Sequence, residues 1–548
     1  MVIYRSHRPN IPIPKIDLFS YLTNTNEYNQ TRDINKPIAV EGESGKTLSW
    51  KQIREKARYL ATGWNENVGL KKGDVVAVFA PNQFDHVVLY LSLLAAKCTI
   101  SPGNPAYTEA EFKHQITNCQ ATALVTVPAL LPMLLKITDS IRLPRSRVFL
   151  FGDKEVEGCR PFNAISGKKP VSLPLQDIDG YNDTAFICYS SGTTGLAKGV
   201  MLTHKNFIAQ IIQALAAEAE EEEKHDDDVV LGFLPFYHIY GLTSLILNSY
   251  YKVTPVIIMS RYDLELFCQL IQKYKVTLAA IVPPVAVQLA KSPIVTKYDL
   301  TTIRLLGCGA APLSKEHITA LKKRVPADIR QGYGMTETTS GVISQNQKGG
   351  VPGSIGVLST NMEMKIVNEK GEELGDDQEG EFFFRGPSIM KGYYNNEKAN
   401  AETFMADGWM RTGDVGKFDS KTGEFFILDR IKELIKYKGY QVAPAELEAI
   451  LMGLEIVADC CVVGWYDDNQ ATELPRAYIV LQPSVSKDEH TVKQIDEHVS
   501  KNVTNYKKLR GGIKFVDAIP KSPSGKILRR QVKDWVKKEQ AAFTKARL

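Results

Sequence analysis

The chain has 548 residues, of which 44% are hydrophobic and 24% charged, and its net charge is +5. This length predicts several domain-sized units with a substantial core. No apolar run approaches the length of a membrane span, and the eight scattered cysteines match neither a zinc spacing nor a disulfide framework, so we expect a protein that is neither membrane-spanning nor disulfide-stabilised.

Short apolar runs alternate with amphipathic stretches from about residue 70 to 345. This alternation predicts an α/β fold with mostly parallel sheets. The runs are VVAVFAP, CTISPGN, ATALVTVPA, RVFLFGD, TAFICYS, VVLGFLPF, VTPVIIMS, LAAIVPP and IRLLGCG, with a helix-like DHVVLYLSLLAAK after the first.

An acidic run, EAEEEEKHDDD, occupies residues 218–228. Because it contains His225, a metal site is one interpretation. Blocks of like charge are usually solvated, however, so a polar connector is the favoured prediction.

The pattern changes after residue 350. Segments such as EMKIV, EGEFFFRG and GEFFILDR, separated by Gly, Asp and Asn, predict antiparallel strands over residues 351–430. From about residue 433, short strands alternate with helices such as PAELEAILM, whose Pro444 is placed near a helix start. This last part is long enough to form a small domain.

The C-terminal end is basic. Residues 501–548 hold fourteen Lys or Arg against three Asp or Glu, which leaves the first 500 residues at −6. Such an end could attract nucleic acid, or a nucleotide or coenzyme A. It contains no RNA-recognition pattern, so a small polyanion is favoured.

The last residues, Ala546, Arg547 and Leu548, resemble the Ser-Lys-Leu class of peroxisomal address, which predicts a peroxisomal import receptor as partner.

Glycines and hydroxyl side chains precede a single lysine in YSSGTTGLAKGVMLTH, residues 189–204. Backbone amides in such a loop converge on phosphate oxygens, and the lysine adds a point charge. A Walker loop is excluded because Lys198 is followed by Gly199, and the Gly-Lys-Thr at residues 45–47 lacks the earlier glycine. From these residues alone, a phosphate loop and a plain flexible turn both remain open.

Four further motifs accompany that loop: GYGMTE at 332–337, RTGD at 411–414, DRIKELIKYKGYQVAPAELE at 429–448 and PKSPSGKILRR at 520–530. In order and spacing the set resembles the adenylate-forming superfamily over essentially the whole chain. It is most similar to the branch of 4-coumarate:CoA ligases, fatty acyl-CoA synthetases and beetle luciferases.

The resemblance implies a multi-domain α/β fold. Residues 1–431 would form an N-terminal adenylation domain of two α/β subdomains plus a β-barrel-like subdomain. Residues 432–548 would form a small, mobile α+β lid.

The resemblance also implies a nucleotide site. In this family an acid carboxylate attacks the α-phosphorus of ATP, and cations must offset the repulsion between the two anions. At 4 Å and an effective dielectric of about 20, one charge pair contributes roughly 4 kcal/mol. The implied nucleotide-binding residues are Ser190, Ser191, Gly192, Thr193, Thr194, Gly195, Lys198, Gly309, Ala310, Ala311, Gln331, Gly332, Tyr333, Gly334, Asp414 and Arg430.

Several of these residues have individual implied roles. Tyr333 would stack on adenine, and Asp414 would bind the ribose hydroxyls with Arg430 as its partner. Glu337 would hold Mg²⁺, with Thr336 as a phosphate donor beside it. The implied catalytic residues are Lys526, which reaches both carboxylate and α-phosphate, together with His238, Glu337 and Thr336.

The family's second half-reaction implies a free thiol. Its lid rotates about a hinge, here Lys432, and presents Lys436, Lys438, Gly439 and Gln441 to the thiol tunnel. The chain has no carrier-protein attachment motif, so coenzyme A is the expected acceptor.

The segment LPFYHIYG at 234–241 matches the family's acyl-pocket wall. His238 would gate this pocket, and the expected lining is Tyr240, Ser244, Ser340 and Gly341. An aryl-propenoate or a fatty chain would fit.

Three departures from the family pattern bear on the acid. Ala197 replaces the usual proline of the loop, TETTSG is closer to luciferases and fatty acyl-CoA synthetases than to plant coumarate enzymes, and the arginine expected of a luciferase is missing. The leading hypothesis is an ATP-dependent acyl-CoA ligase. The alternatives are a luciferase-like adenylating oxygenase and a non-catalytic nucleotide-binding or nucleic-acid-binding protein.

Overall fold

The computed structural model describes residues 2–190, 197–220, 225–310, 313, 315–346, 350–438, 440–467, 470, 472–522 and 525–545. Some predictions fall outside this part of the chain and stay predictions. They concern Ser191, Gly192, Thr193, Thr194, Gly195, Ala311, Gly439 and the tripeptide Ala546, Arg547 and Leu548.

The first large sheet has eight strands and supplies the Gly/Ser/Thr loop. Its central strands pair in parallel, and the two strands beside that loop are added antiparallel. In spatial order the strands are Gly392–Tyr393, Lys198–Thr203, Thr184–Ser190, Thr99–Gly103, Val75–Phe79, Ala123–Thr126, Val148–Leu150 and Arg160–Pro161.

The second large sheet has nine strands and is also parallel at its centre, with antiparallel strands at both edges. In spatial order the strands are Val357–Leu358, Ser340–Ser344, Asp328–Met335, Leu305–Cys308, Leu278–Ile281, Val230–Gly232, Val256–Ile258, Pro37–Glu41 and Thr47–Ser49. The predicted parallel α/β character of this region is confirmed.

Helices cover the two sheets, and one continuous hydrophobic core joins them. The α-helices are Leu18–Thr23, Glu27–Thr31, Trp50–Glu66, His86–Ala95, Glu109–Asn118, Leu131–Ser140, His204–Glu218, Ile239–Gly241, Ser249–Tyr251, Leu264–Tyr274, Pro283–Lys291, Lys315–Lys322 and Glu397–Thr403. A π-helical segment, Leu242–Asn248, links two of them, and 3₁₀ turns occupy Pro128–Leu130, Arg145–Arg147, Phe162–Ile165, Pro293–Lys297 and Thr336–Thr338. Within the described residues, no helix is long and apolar enough to cross a membrane.

The predicted antiparallel segment forms a separate six-stranded sheet around Phe382, Phe384 and Phe425. Tyr4 on one edge packs against Phe418 and Phe425 near the other, with ring centroids 5.0 and 5.4 Å apart, so the sheet curls into the expected barrel-like shape. Its strands are Tyr4–Arg5, Glu363–Val367, Glu373–Leu374, Gly380–Arg385, Met410–Asp419 and Glu424–Arg430.

The C-terminal part is an α+β body with its own hydrophobic core. It contains the hairpin of Ile435–Tyr437 and Tyr440–Val442, and a three-stranded sheet of Val457–Asp467, Thr472–Leu481 and Ile513–Phe515. Its helices are Pro444–Met452, Glu489–Asn502 and Arg529–Lys545, with a 3₁₀ turn at Asn505–Lys507. Pro444 begins its helix, as predicted.

In the described part of the acidic run, two carboxylates form ion pairs instead of being solvated. Glu218 pairs with Lys252 and Asp228 with Arg304, and Asp228 is buried. The prediction of a polar connector is therefore wrong for these two residues, because each carboxylate has a cation from a neighbouring element. The described residues contain no cluster of three or more potential metal ligands.

Arg529 ties the C-terminal body together at the start of its last helix. Its guanidinium donates to Glu433 at 2.8 Å, to Glu448 at 2.7 Å and to the carbonyl of Val462 at 3.0 Å. Its side chain is 10% exposed.

We predict that Arg529→Met lowers the free energy of unfolding of the C-terminal body by about 3–5 kcal/mol, because two buried carboxylates lose their cation. Urea unfolding followed by tryptophan fluorescence measures this. The control is Lys487→Met, whose ion pair with Asp517 is exposed and contributes little. Equal effects in the two variants would contradict the assignment.

Candidate active site

A cavity of about 1270 Å³ lies where the two large sheets, the barrel-like sheet and the C-terminal body meet. The carboxyl ends of parallel strands open into it, as expected for ligand sites of open α/β sheets. Its lining includes most of the predicted residues that the structure describes: Ser190, Lys198, His238, Tyr240, Ser244, Gly309, Ala310, Gln331, Gly332, Tyr333, Gly334, Thr336, Glu337, Ser340, Gly341, Arg430, Lys432 and Lys526.

Glu337 is a buried carboxylate fixed by two hydroxyl groups. Ser190 donates to its Oε1 at 3.0 Å, and the Tyr393 hydroxyl donates to the same oxygen at 2.9 Å. The ammonium of Lys198 lies 4.7 Å from the centroid of the Tyr393 ring. The end of the Gly/Ser/Thr loop and the predicted metal ligand therefore share one hydrogen-bonded cluster.

Tyr393 was not predicted from the sequence. It lies on the strand Gly392–Tyr393, which pairs with Lys198–Thr203 at the sheet edge. Burial and then the nearby Glu337 carboxylate raise its pKa, so the hydroxyl keeps its proton and acts as a donor. Nothing in the surrounding residues gives a recognisable signal for this contact, because it depends on strand pairing across almost 200 residues.

Asp414 lies just behind the cavity wall, beside the lining residues Thr412 and Gly413. Its carboxylate accepts from the Tyr333 hydroxyl at 2.6 Å and from Arg430 Nε at 3.0 Å. Burial opposes the charge on Arg430, but the Asp414 carboxylate raises its pKa. The Tyr333 ring also stacks on Phe384, with centroids 6.0 Å apart. This tyrosine is thereby held in one orientation at the cavity edge.

Lys526 reaches into the cavity from a tight turn of the C-terminal body. The turn is closed by Ser522 N donating to Lys526 O at 2.8 Å, and Gly525 has a φ of +77°, which favours glycine. Burial, followed by the charge of Arg430, lowers the pKa of Lys526 to about 8. Glu433, Asp414 and Glu337 act in the opposite direction.

His238 is neutral near pH 7. Burial, with a further contribution from Lys526, lowers its pKa to about 4. Its Nδ1 accepts the backbone N–H of Tyr240 at 3.3 Å, so the proton of the neutral ring is assigned to Nε2. The ring therefore offers a donor and no charge.

The predicted acid pocket is narrow beside Tyr240 and open beside Gly341. Tyr240 donates to the carbonyl of Gly307 at 3.0 Å, and a Cβ at Gly309 would lie 3.0 Å from the Tyr240 ring. A Cβ at Gly341 would meet nothing within 4 Å. Gly334 tolerates no side chain, because its Cβ would lie 2.0 Å from the carbonyl oxygen of Ser340.

Three predicted residues of the thiol face lie away from the cavity. Lys436, Lys438 and Gln441 are exposed on the hairpin, and the Gln441 side chain donates to Glu369 of the barrel-like sheet. Lys432, by contrast, lines the cavity. This arrangement brings Lys526, and not the hairpin, to the end of the cavity that is predicted to bind the nucleotide.

Comparison with known proteins identifies the class. The family model described as AMP-binding enzyme matches residues 27–394, and the model described as AMP-binding enzyme C-terminal domain matches residues 446–526. The chain therefore belongs to the AMP-binding enzyme family.

Individual relatives define the branch. The chain is 38% identical over 541 residues to the 4-coumarate–CoA ligase of Pinus taeda, with 97% of each chain covered. It is also 38% identical over 528 residues to a probable 4-coumarate–CoA ligase of Dictyostelium discoideum, with 91% of this chain and 92% of that one covered. Within the family, the chain is thus an AMP-forming acid–thiol ligase of the 4-coumarate–CoA ligase branch.

Solved structures confirm the predicted fold. ATP-bound MatB from Rhodopseudomonas palustris matches with a TM-score of 0.83 at 26% identity, covering 95% of this chain and 99% of that one. The anthranilate CoA ligase AuaEII matches with a TM-score of 0.86 at 22% identity, and the match covers 97% of this chain and 99% of that one. At this identity the match supports the fold alone. The boundary predicted between residues 431 and 432 stays a prediction.

We predict that Asp414→Asn weakens AMP binding by about tenfold to a hundredfold, because hydrogen bonds to a charged group contribute about 1.5–3 kcal/mol. Isothermal titration calorimetry with AMP measures this. Asp407→Asn, which changes an exposed carboxylate 3.7 Å from Lys365, is the control. An unchanged dissociation constant for Asp414→Asn would remove this carboxylate from the nucleotide site.

Proposed function

We propose that this enzyme is an ATP-dependent acyl-CoA ligase. It activates an aryl-propenoic acid or a medium- to long-chain fatty acid to an acyl-adenylate, releases pyrophosphate, and transfers the acyl group to coenzyme A. The observation that carries the proposal is the position of Lys526, which is partly buried in the same cavity as Ser190, Lys198 and Glu337.

In the first half-reaction, the carboxylate of the acid attacks the α-phosphorus of ATP and pyrophosphate leaves. The Lys526 ammonium would contact both anions and stabilise the charge that develops on the α-phosphate. Neutral His238 donates Nε2–H toward the acid, and Arg430 adds a second cation fixed by Asp414. Since these groups are already positioned, little reorganisation accompanies the reaction.

The site fits a Mg²⁺ ion bound mainly through the nucleotide. The described hydrogen bonds to the carboxylate of Glu337 are both accepted by Oε1, so Oε2 is the oxygen that would ligate the ion. One carboxylate plus substrate phosphates is a usual magnesium environment. When bound there, Mg²⁺ would offset negative charge on the phosphate oxygens. Ser190 and Tyr393 orient the carboxylate for this role.

The second half-reaction requires another arrangement of the C-terminal body. Rotation about Lys432 would withdraw Lys526 and carry Lys436, Lys438, Gly439 and Gln441 toward the cavity, where coenzyme A would enter. The exposed position of Lys436, Lys438 and Gln441 in the present arrangement supports this proposal.

We predict that Lys526→Ala lowers acid-dependent ATP–pyrophosphate exchange by about 10² to 10³, because one preorganised charge is lost. Thioester formation from a supplied acyl-adenylate should be nearly unchanged, since Lys526 leaves the site before that step. The control is Lys537→Ala, whose ammonium is on the surface. Retained exchange, or an equal loss in both half-reactions, would contradict the assigned role.

We also predict a descending alkaline limb in the pH profile of adenylation. Because burial lowers the pKa of Lys526 to about 8, the protonated fraction falls as the pH rises through that value. The kcat/KM for ATP, which reports pKa values of the free enzyme, should fall with it. Lys526→Arg keeps its charge and should move this limb to higher pH. An unmoved limb would assign the titration to another group.

A further inference from the structure

A buried carboxylate joins the barrel-like sheet to the C-terminal body. Asp429 lies on the strand Glu424–Arg430 of that sheet and is 6% exposed. Its Oδ1 accepts the backbone N–H of Arg430 at 2.7 Å, and its Oδ2 accepts the backbone N–H of Ala445 at 3.0 Å. One oxygen is therefore bound within its own strand and the other by the C-terminal body.

Ala445 is the second residue of the helix Pro444–Met452. The first N–H groups of a helix have no partner within the helix and need one from outside it. The residue before this helix is Ala443, which makes no side-chain hydrogen bond to the helix start. The carboxylate of Asp429 thus takes the place of a capping side chain, although it comes from another body of the protein.

The C-terminal body also stabilises the negative charge of this carboxylate. Burial raises the pKa of Asp429 to about 6. The charge of Arg529, followed by the N–H groups of Ala445 and Arg430, acts in the opposite direction. A helix N-terminus favours a nearby negative charge as well. If the C-terminal body moved away, the carboxylate would lose Arg529 and the Ala445 N–H together.

The hydrogen bond between Asp429 and Ala445 spans the proposed hinge, because Asp429 precedes Lys432 in the chain and Ala445 follows it. On the same strand as Asp429, Phe425 belongs to the core of the barrel-like sheet. On the same helix as Ala445, Leu447 belongs to the core of the C-terminal body. Each partner is fixed to a different core, so rotation about Lys432 would break this bond.

Two other polar contacts between the bodies are less well protected. The Gln441 side chain donates to Glu369, and both residues are exposed. Lys291 Nζ lies 3.4 Å from the carbonyl oxygen of Val457. Exposed groups exchange such partners for water at little cost, whereas a buried acceptor that loses its donor costs more. Of these three contacts, the bond to Asp429 therefore favours the present arrangement most.

We propose that Asp429 is a positioning residue that favours the arrangement in which Lys526 lines the cavity, because it caps a helix of the C-terminal body across the hinge. This rests on the proposed two-step function and concerns how its site is assembled. Asp429 is not among the described residues that line the cavity, so it acts through Lys526 and not on a substrate.

The size of the effect follows from the contribution of a helix cap. Loss of a capping side chain typically changes an equilibrium by about fivefold. In the proposed mechanism each half-reaction uses one arrangement, so the ratio of the adenylation rate to the thioester-forming rate follows the ratio of the two populations.

The test measures the two half-reactions of the full chain separately. Adenylation is followed as ATP–pyrophosphate exchange with 4-coumarate, or with dodecanoate if the wild type does not activate 4-coumarate. The second half-reaction is followed as thioester formation from the supplied acyl-adenylate and coenzyme A. In Asp429→Ala, exchange should fall while thioester formation is kept or rises, so that the ratio of the two rates falls by about fivefold or more. A purely structural role would lower both rates equally.

Matched variants assign the effect to the hydrogen bond. Ala445→Pro removes the N–H donor, leaves the carboxylate in place, and should shift the ratio in the same direction. The chain already starts one helix with two prolines, at Pro283–Lys291, so the substitution is compatible with a helix start. Asp429→Asn keeps an acceptor but not the charge, should shift the ratio less, and replaces Asp429→Ala if that variant does not fold. Asp517→Ala, which removes an exposed carboxylate of the same body, is the control.

Crosslinking reports the arrangement without any substrate. All eight cysteines are buried, so Glu369→Cys combined with Gln441→Cys introduces two exposed thiols. These positions are in contact in the present arrangement, and a short bis-maleimide can join them. Adding Asp429→Ala or Ala445→Pro should lower the yield of crosslinked chain at a fixed time, whereas adding Asp517→Ala should not.

The outcomes separate this inference from the function on which it rests. If the wild type activates neither acid, the ligase proposal loses support, and crosslinking alone decides the role of Asp429. A crosslinking yield that is unchanged by both Asp429→Ala and Ala445→Pro would overturn the inference whatever the rates. An unchanged ratio of the two half-reactions, or an equal loss of both, would also overturn it and leave the ligase function in place.

Discussion

The site depends on one lysine ammonium that is partly buried in the cavity between two bodies of the protein. Lys526 and Arg430 are both cations in one cavity, and burial together with their mutual repulsion lowers the pKa of Lys526 to about 8. The nucleotide phosphates and the acid carboxylate would relieve that repulsion. At 4 Å and an effective dielectric of about 20 each such pair contributes roughly 4 kcal/mol, so closure of the C-terminal body and binding of anions stabilise each other.

In the proposed mechanism the C-terminal body moves between two arrangements, so it would have to be stable by itself and only weakly attached to the large domain. Its own core and the buried Arg529 contacts hold it together. Its described polar contacts with the large domain include single hydrogen bonds, such as Ala445 N to Asp429 at 3.0 Å and Lys291 Nζ to the Val457 carbonyl at 3.4 Å. In the proposed reaction, release of pyrophosphate would remove much of the charge that favours closure, and such contacts could break without disturbing either core.

The sequence predicts the secondary-structure elements that depend on local residue pattern. The strand Val75–Phe79, the helix His86–Ala95 and the helix Pro444–Met452 lie where periodicity and the position of proline predict them. The motif resemblance also predicted that Lys526 and Glu337 share one site, and both residues line the same cavity. Tyr393 escaped prediction, because its contact with Glu337 depends on how distant elements pack. The Glu218–Lys252 pair escaped for the same reason, since a run of like charges gives no sign that a lysine 34 residues later approaches it.

The two ends of the cavity differ in charge, and this difference has a consequence for how an acid would bind. Lys526, Arg430 and the Nε2–H of His238 lie at the end that is proposed to bind the nucleotide, where a carboxylate would gain the most. At the other end, along the helix His204–Glu218, the carboxylate of Glu218 is paired with Lys252. A carboxylate that entered this end first would be desolvated without gaining a cation. Under the proposed function, an acid with one carboxylate would therefore have a single favourable orientation, with its carboxylate toward the α-phosphate and its tail along the helix His204–Glu218. This is the orientation that adenylation would require.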